Sequence, residues 1–202
     1  MKLNSFKLED VLVIDDFLDN PLAVREHARL SEFYDWLGPD GQVYKRVSIC
    51  KVPGVQTKLF EVFGPYEMLG QAYRLNYQGE RPNQSIHSDM GWGTHALVLY
   101  LCEGPGGTAF WQHNETEAVS INPGDVELYE KIKDDWEDAS KWTMRACAEL
   151  KFNRAVIYTS DLFHSRYPFE AFGEHPGDGR LIAVAFFTPT EETSDDSESS
   201  AG

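Results

Sequence analysis

The sequence has no long apolar run and no apolar segment near its start. No stretch approaches the roughly 18 consecutive apolar residues that a membrane-spanning helix requires. Residues 1–6 also lack the apolar region of a secretory signal. We therefore expect a soluble, cytoplasmic protein that has no membrane partner.

Basic residues are scarce. The chain has 18 Lys and Arg against 33 Asp and Glu, which gives a net charge of −15. Binding to nucleic acid needs clustered basic side chains, so this balance argues against a nucleic-acid partner. An acidic body also mildly favours a cationic or neutral substrate. Residues 191–202 are rich in serine and acidic residues, and we predict a disordered tail there.

Cysteine is rare as well. The three cysteines, Cys50, Cys102 and Cys147, lie far apart in the sequence. An odd number without close spacing suits neither a disulfide framework nor a cysteine zinc site. We therefore expect neither of these features.

The 202 residues are enough for one domain with a full hydrophobic core. Residues 11–14 predict a strand, and Asn20-Pro21 predicts the start of a helix. A second helix is predicted over 55–63, because Gly64 follows it. From residue 73 onward, short strands alternate with turns rich in Gly, Pro, Asn and Asp. A short strand is predicted over 44–51, and the strands predicted from residue 73 onward are 73–77, 95–101, 108–113, 118–121, 126–129, 154–159 and 180–188.

Helical spacing predicts two amphipathic faces. In the first helix His27 and Leu30 share a face at the period of an α-helix. Ile132 and Trp136 begin a series of apolar residues spaced three or four apart, which predicts a helical insertion over 131–150. Such a helix either plugs one open end of the β structure, which we favour, or forms a lid over the substrate.

Residues 87–89 contain two candidate metal ligands. His87 and Asp89 are separated by one residue, so both side chains point to the same side if the stretch ends a strand. A third ligand, which is a second imidazole nitrogen, is available from His164, which follows the apolar strand at 154–159. Two histidines and one carboxylate on one face of a metal are typical of non-haem Fe(II) oxygenases.

A buried cation supports this interpretation. Arg180 begins the apolar strand at 180–188, where an unpaired charge is costly. A carboxylate is the best partner for a guanidinium, because it accepts two parallel hydrogen bonds. Arg166 follows His164 closely and is a second candidate for the same role, although we favour Arg180.

Taken in order along residues 73–189, these motifs resemble the Fe(II)/2-oxoglutarate-dependent dioxygenases, especially their prolyl-hydroxylase-like branch. The matching residues are Tyr77, His87-x-Asp89, the strand at 96–101, Gly106-Gly107, Pro123-Gly124-Asp125, His164 and Gly179-Arg180. The resemblance implies a mainly β fold, α+β by count. Its core is a double-stranded β-helix, or jelly roll, with supporting helices at the N-terminal side.

The resemblance also implies a domain organisation. We expect a single dioxygenase domain over 1–190, with helical support at 18–66 and the jelly-roll core at 70–190. The helical insertion at 131–150 interrupts this core, and the acidic tail follows the domain.

By the same resemblance, His87, Asp89 and His164 hold Fe(II), while Arg180 and Tyr77 bind the distal carboxylate of 2-oxoglutarate. The implied reaction uses O2 and couples decarboxylation of 2-oxoglutarate to succinate with hydroxylation of an aliphatic C–H. The substrate is a small molecule or a peptide, with an amino acid or peptidyl residue weakly favoured.

Two alternatives remain. One is a non-catalytic jelly roll that binds a metal or small ligand, although such a protein is expected to lose part of the His87, Asp89, His164 and Arg180 set. The other is an isomerase or hydrolase on a cupin-like metal site, which does not need Arg180. Further candidates for the substrate side are Trp92, Thr94, His95, Trp111, His113 and Tyr129.

Overall fold

The computed structural model describes residues 11–39, 41–80 and 85–191. The α-helices in these ranges are α1 (Pro21–Leu30), α2 (Val55–Phe63) and α3 (Val126–Ile132). The strands are β1 (Val11–Ile14), β2 (Tyr34–Leu37), β3 (Val43–Ile49), β4 (Tyr66–Asn76), β5 (His95–Tyr100), β6 (Gly107–His113), β7 (Trp142–Glu149), β8 (Ala155–Thr159), β9 (His164–Tyr167) and β10 (Arg180–Pro189). The predicted disordered tail lies outside the described residues from residue 192 onward.

The first two helices begin and end where the sequence predicts. The side chain of Asn20 accepts a hydrogen bond from the first turn of α1, and Pro21 occupies a position whose N–H needs no partner within the helix. Gly64 ends α2 with a φ of 71°, which glycine adopts without steric cost.

The predicted buried face of α1 is wrong. Val24 and Ala28 are the buried residues, whereas Leu30 is 86% exposed. His27 lies at the edge of the contact, with Nδ1 2.9 Å from the hydroxyl of Tyr73. The predicted face contains His27, and the buried face contains Ala28, so the two faces of the helix differ by one position. Only packing against the sheet decides which face is buried.

Two antiparallel sheets form the body of the protein. The larger sheet has the strand order β1-β8-β5-β10-β4-β3-β2, and the smaller sheet has the order β7-β6-β9. β8, β9 and β10 lie in the larger, the smaller and again the larger sheet. Such crossing between two antiparallel sheets is the connection pattern of a jelly roll.

The central strand β10 contacts two environments, because side chains alternate along a strand. Leu181 and Phe187 belong to a core cluster that includes Val24 of α1 and Leu59 of α2. Residues at the alternate positions, such as Val184, line a cavity that also has walls from the smaller sheet. The helices therefore support the outer face of the larger sheet and leave the inner face for a site.

The predicted helix over 131–150 is wrong. After α3 the chain forms a 3-10 helix, Ala139–Lys141, and then enters β7, which pairs with β6. Ile132 and Trp136 do share an apolar environment, but they reach it from a helix end and a loop. Pairing with β6 satisfies the backbone of β7, and the spacing of side chains cannot reveal that partner. The segment packs on the side of β6 that faces away from the cavity.

Two predicted strands are also wrong. Residues 126–129 lie in α3, because the Asp125 side chain accepts a hydrogen bond from Leu128 N at 3.1 Å and caps the helix. Over 118–121 the chain makes a single bridge, between Ser120 and Leu162. The sequence prediction missed the short strands β2 and β9 as well as β7.

The broad prediction of fold class is confirmed: strands dominate, and two helices near the N-terminal side support the larger sheet. No helix in the described part of the chain is long and apolar enough to cross a membrane.

Candidate metal centre

Backbone hydrogen bonds fix the stretch that contains His87 and Asp89. His87 N donates to His164 O at 3.0 Å, and His164 N donates to His87 O at 2.8 Å. Asp89 N donates to Ser160 O at 2.7 Å. Ile86 anchors the stretch because its side chain is completely buried in a second core cluster. The stretch makes one β-bridge and is not part of a longer strand.

The side chains of His87, Asp89 and His164 converge. Each offers one ligand atom, and these atoms all lie within 4.8 Å of one another. His87 Nε2 lies 3.8 Å from one oxygen of Asp89, and His164 Nε2 lies 3.2 Å from the other. The structure therefore brings together the three residues that the sequence predicts as ligands, and their atoms could hold one divalent ion.

Hydrogen bonding favours one tautomer of His164. Its Nδ1 lies 2.9 Å from the carbonyl oxygen of Leu162, which can only accept, so Nδ1 carries the proton. The lone pair of the neutral ring is then on Nε2, the atom that faces Asp89. Metal-bound histidines commonly donate their other N–H in this way, which fixes the orientation of the ring.

The charge of Asp89 is stabilised by its surroundings. Burial alone would raise the pKa of Asp89, but His164, His87 and Arg74 together outweigh burial and hold that pKa below its ordinary value. Burial likewise disfavours the charged form of His164, yet the carboxylate of Asp89 raises the pKa of His164 overall. Asp89 is therefore an anion that is ready to bind a cation.

The three side chains lie at one end of a cavity of about 480 Å³ between the sheets. Ala96, Val98, Ile182 and Val184 of the larger sheet form an apolar wall. Thr108 faces it from the smaller sheet, where its hydroxyl lies 2.7 Å from the hydroxyl of Tyr100. This combination of an apolar wall and a few polar groups is typical of small-molecule sites.

Three arginines reach this cavity: Arg74, Arg166 and Arg180. Arg180 is 6% exposed, and within residues 11–39, 41–80 and 85–191 no group accepts a hydrogen bond from its guanidinium. Arg166 differs, because it donates to the carbonyl oxygens of Phe169 at 3.0 Å and Glu80 at 2.7 Å. Of the two arginines that the sequence offers for a carboxylate, Arg180 is therefore the one without an acceptor in the described part of the chain.

Burial lowers the pKa of each of these arginines. For Arg74 the charge of Arg180 adds to the effect of burial, and for Arg166 burial and the charges of Arg180 and Arg74 lower the pKa to about 9. The guanidinium groups therefore repel one another, and an anion in the cavity would relieve this repulsion.

Tyr77 does not line the cavity. It packs against the main core cluster, and the guanidinium of Arg46 lies 4.3 Å from its ring centre. The tyrosines that do line the cavity are Tyr44 and Tyr158. Arg74 and Asn76 occupy alternate positions of β4, and both reach the cavity. Because side chains alternate along a strand, Tyr77, which follows Asn76, is directed away from the cavity.

The other predicted substrate-side residues divide into two groups. Trp92 lines the cavity. Trp111 is buried in the second core cluster, and His113 is 1% exposed and lies 3.0 Å from the carboxylate of Asp135. Thr94, His95 and Tyr129 do not line the cavity.

The sequence prediction missed Arg74, although a signal was present. Arg74 lies between Tyr73 and Leu75 in an apolar strand, which is the context that drew attention to Arg180. The aromatic residues Trp36 and Tyr44 were also missed. They come from β2 and β3, which precede the recognisable motifs.

Solved structures with a similar fold include an enzyme described as non-haem and α-ketoglutarate-dependent. The carbocyclase SnoK from nogalamycin biosynthesis has a TM-score of 0.54 and 11% identity, over 88% of this chain and 79% of that one. AviO1 from Streptomyces viridochromogenes Tue57 has a TM-score of 0.52 and 12% identity, over 88% and 89%. HygX from Streptomyces hygroscopicus, solved with nickel, 2-oxoglutarate and hygromycin B, has a TM-score of 0.51 and 13% identity, over 90% and 82%.

At these identities the likeness establishes the fold, so the predicted jelly-roll core is confirmed. A search of curated proteins finds no match. The sequence profile of a family of unknown function, DUF6445, matches residues 81–187. This match covers the predicted metal ligands, Arg180 and more than half of the chain. The chain therefore belongs to the family of unknown function DUF6445.

Proposed function

We propose that this protein is an Fe(II)/2-oxoglutarate-dependent oxygenase that hydroxylates an aliphatic C–H of a small substrate. One observation carries the proposal. The ligand atoms of His87, Asp89 and His164 converge at the end of a cavity into which Arg180 projects without an acceptor among the described residues. A metal and a carboxylate therefore have complementary positions in one cavity.

The donor set fits iron. His87, Asp89 and His164 would hold it, since mixed imidazole and carboxylate ligands with open positions suit non-haem Fe(II). Bound iron would supply the activation of O2 that is coupled to decarboxylation of 2-oxoglutarate. The hydrogen bond from His164 Nδ1 to Leu162 O agrees with this role, because it leaves Nε2 as the nitrogen that binds a metal.

The other residues of the cavity bind the co-substrate, exclude water and hold the shape of the cavity. Arg180 binds the distal carboxylate of 2-oxoglutarate, because it is buried and no described residue accepts a hydrogen bond from it. The apolar wall of Ala96, Val98, Ile182 and Val184 keeps water from the reacting groups. Arg166 holds the backbone at Glu80 and Phe169, which shapes the cavity near Arg180.

The solved structures support the co-substrate, while their reactions differ. HygX was solved with 2-oxoglutarate, and SnoK is described as a carbocyclase. SnoN, which shares the fold at a TM-score of 0.51, was solved with Fe3+ and α-ketoglutarate and is described as an epimerase. Hydroxylation is therefore the specific part of our proposal, and the prolyl-hydroxylase-like branch stays a prediction.

Succinate release tests the proposal. Wild type and His87→Ala are incubated in air with Fe(II), ascorbate and 2-oxoglutarate, and succinate is measured. We expect slow succinate release from wild type and none from the variant, because loss of one ligand removes the metal.

If neither protein releases succinate, Fe(II) and 2-oxoglutarate are added without oxygen. A visible metal-to-ligand charge-transfer band in wild type alone would retain the proposal. If no band forms and no metal binds, the protein is a non-catalytic jelly roll. The nature of the reaction is read from any substrate that accelerates succinate release, since hydroxylation adds the mass of one oxygen atom to the product.

A further inference from the structure

We propose that the substrate is a small organic acid whose anionic group binds Arg74 and whose apolar body contacts an aromatic cluster at the cavity opening. This inference rests on the proposed function, because it assigns Arg180 to the co-substrate and Arg74 to a second ligand.

Arg74 is directed into the cavity from β4. Its Nε atom is buried and has no hydrogen-bond partner among the described residues. Its guanidinium carbon lies 5.2 Å from the ring centre of Tyr44, a contact that leaves the N–H groups available. A buried donor without an acceptor costs free energy, so a ligand that accepts from Arg74 is favoured.

Arg74 and Arg180 occupy different places on the cavity wall. Arg180 faces Asn76 across the β10–β4 pair, whereas Arg74 lies opposite Ile182, two positions further along β10. Asp89 N donates to Ser160 O just after β8, and the end of β8 lies beside His95 of β5 and so level with Phe187 of β10. Arg74, level with Ile182, is therefore nearer than Arg180 to the metal-centre end of the sheet. Tyr44, which Arg74 contacts, is half-buried and marks the opening. Arg74 therefore lies on the metal-centre side of Arg180, next to a partly exposed aromatic ring.

Of the three arginines that reach the cavity, one is left without an assigned acceptor. Glu80 is paired with Arg46, and Asp89 is assigned to the metal. The distal carboxylate of 2-oxoglutarate would neutralise Arg180, and Arg166 already donates to the carbonyl oxygens of Phe169 and Glu80. Arg74 then remains as the cavity arginine whose Nε has no partner among the described residues, so a further anionic group is favoured beside it.

An aromatic cluster continues from Arg74 to the opening. Tyr44, Trp36, Trp92 and Phe186 form a chain with ring-centre separations of 5.7, 5.9 and 5.5 Å, and all four are partly exposed. They line the same cavity as Arg74. Partly exposed aromatic faces beside a guanidinium suit a ligand with one anionic end and an apolar body.

The cavity has room for this second ligand. Its volume of about 480 Å³ is within the range of about 300–1,000 Å³ that holds drug-sized molecules, and 2-oxoglutarate is much smaller than such a ligand. The net charge of −15 favoured a cationic or neutral substrate in the sequence analysis. The local charge of the cavity has the opposite sign, and local charges act more strongly than distant charges on an enclosed ligand.

Matched acids and amides test the proposal. The full chain, loaded with Fe(II) and 2-oxoglutarate without oxygen, is titrated with 3-phenylpropanoate, its shorter and longer homologues, and the corresponding amides. Calorimetry gives each Kd, and the visible band reports whether 2-oxoglutarate stays bound. We expect at least one acid to bind at least tenfold more tightly than its amide while the band persists.

Three variants locate the preference. Arg74→Gln is expected to remove it, and Arg74→Lys is expected to keep part of it because the charge remains. Arg145→Gln is the matched control, since Arg145 lies on β7 and does not line the cavity. Thermal unfolding of each variant shows whether it has folded, and Arg74→Lys carries the test if Arg74→Gln has not.

The proposal is overturned if no acid binds better than its amide to wild type, or if the preference survives in Arg74→Gln. It is also overturned if Arg74→Gln weakens 2-oxoglutarate binding as much as Arg180→Gln does and leaves the preference intact. If the visible band never forms, the proposed function fails. The comparison of acid and amide on the metal-free chain then still reports on Arg74.

Discussion

His87 and His164 exchange a pair of backbone hydrogen bonds, and this pairing places their imidazole ring centres 4.4 Å apart. The main chain therefore sets the spacing of two candidate ligands, and Asp89 N adds a third fixed point through Ser160 O. A metal site built in this way is pre-organised before any ion binds. Binding then requires little rearrangement of the chain.

Removing Asp89 is expected to abolish the response of the protein to metal. Mn(II) at about 100 times its Kd stabilises a folded protein by about 2.7 kcal/mol, which raises the Tm of a chain of this size by about 5–10 °C. Differential scanning calorimetry should show this rise for wild type and no rise for Asp89→Ala. His175→Ala is the control, because His175 is an exposed histidine outside the cavity. An undiminished rise in Asp89→Ala would exclude the predicted ligand set.

Arg180 and Arg166 are expected to differ in their effect on co-substrate binding. A charged hydrogen bond contributes about 1.5–3 kcal/mol, so Arg180→Gln should weaken 2-oxoglutarate binding by roughly 10- to 150-fold. Arg166→Gln should mainly lower stability, because Arg166 holds the carbonyls of Phe169 and Glu80. Anaerobic titration of the charge-transfer band gives the affinity, and urea unfolding gives the stability. A larger loss of affinity in Arg166→Gln would reverse the assignment.

Asn153 is expected to stabilise the fold through two hydrogen bonds to the backbone of Leu18. Its side chain accepts from Leu18 N at 2.9 Å and donates to Leu18 O at 3.0 Å, and its φ is 63°. Asn153→Ala should lower the free energy of unfolding by about 3 kcal/mol, from two buried hydrogen bonds and an unfavourable left-handed backbone. Asn153→Gly tolerates that backbone, so its loss should be about 2 kcal/mol. Equal losses in urea unfolding would show that the backbone conformation contributes nothing.

Asp15 is expected to make stability depend on acid pH. Hydrogen bonds from Arg154 and Lys151 hold the pKa of Asp15 well below its ordinary value. A pKa that is lower in the folded state than in the unfolded state gives a contribution that is complete above about pH 4 and is lost as pH falls further. The Tm of Asp15→Asn should therefore lie below that of wild type at pH 7. The difference should shrink below about pH 4, and a difference that grows with acid would contradict this assignment.

The sequence contained enough to predict the fold class and most of the strands in the second half. The strands β5, β6, β8 and β10 carry strong apolar patterns, and the turns between strands contain Gly, Pro, Asn and Asp. β7 was mistaken for a helix because its side chains also satisfy helical spacing for several residues. Its partner β6 decided the outcome, since inter-strand hydrogen bonds come from a segment that local spacing does not include.

The sequence by itself determined which side chains are able to bind a metal and a carboxylate, because residue type fixes donor atoms and charge. His87, Asp89, His164 and Arg180 were identifiable in this way. Only the tertiary structure decided that Arg74 and the aromatic residues of β2 and β3 reach the same cavity and that Tyr77 does not. The physical reason is that neighbours in a sheet are set by pairing between distant segments, and a shift of one residue turns a side chain to the opposite face.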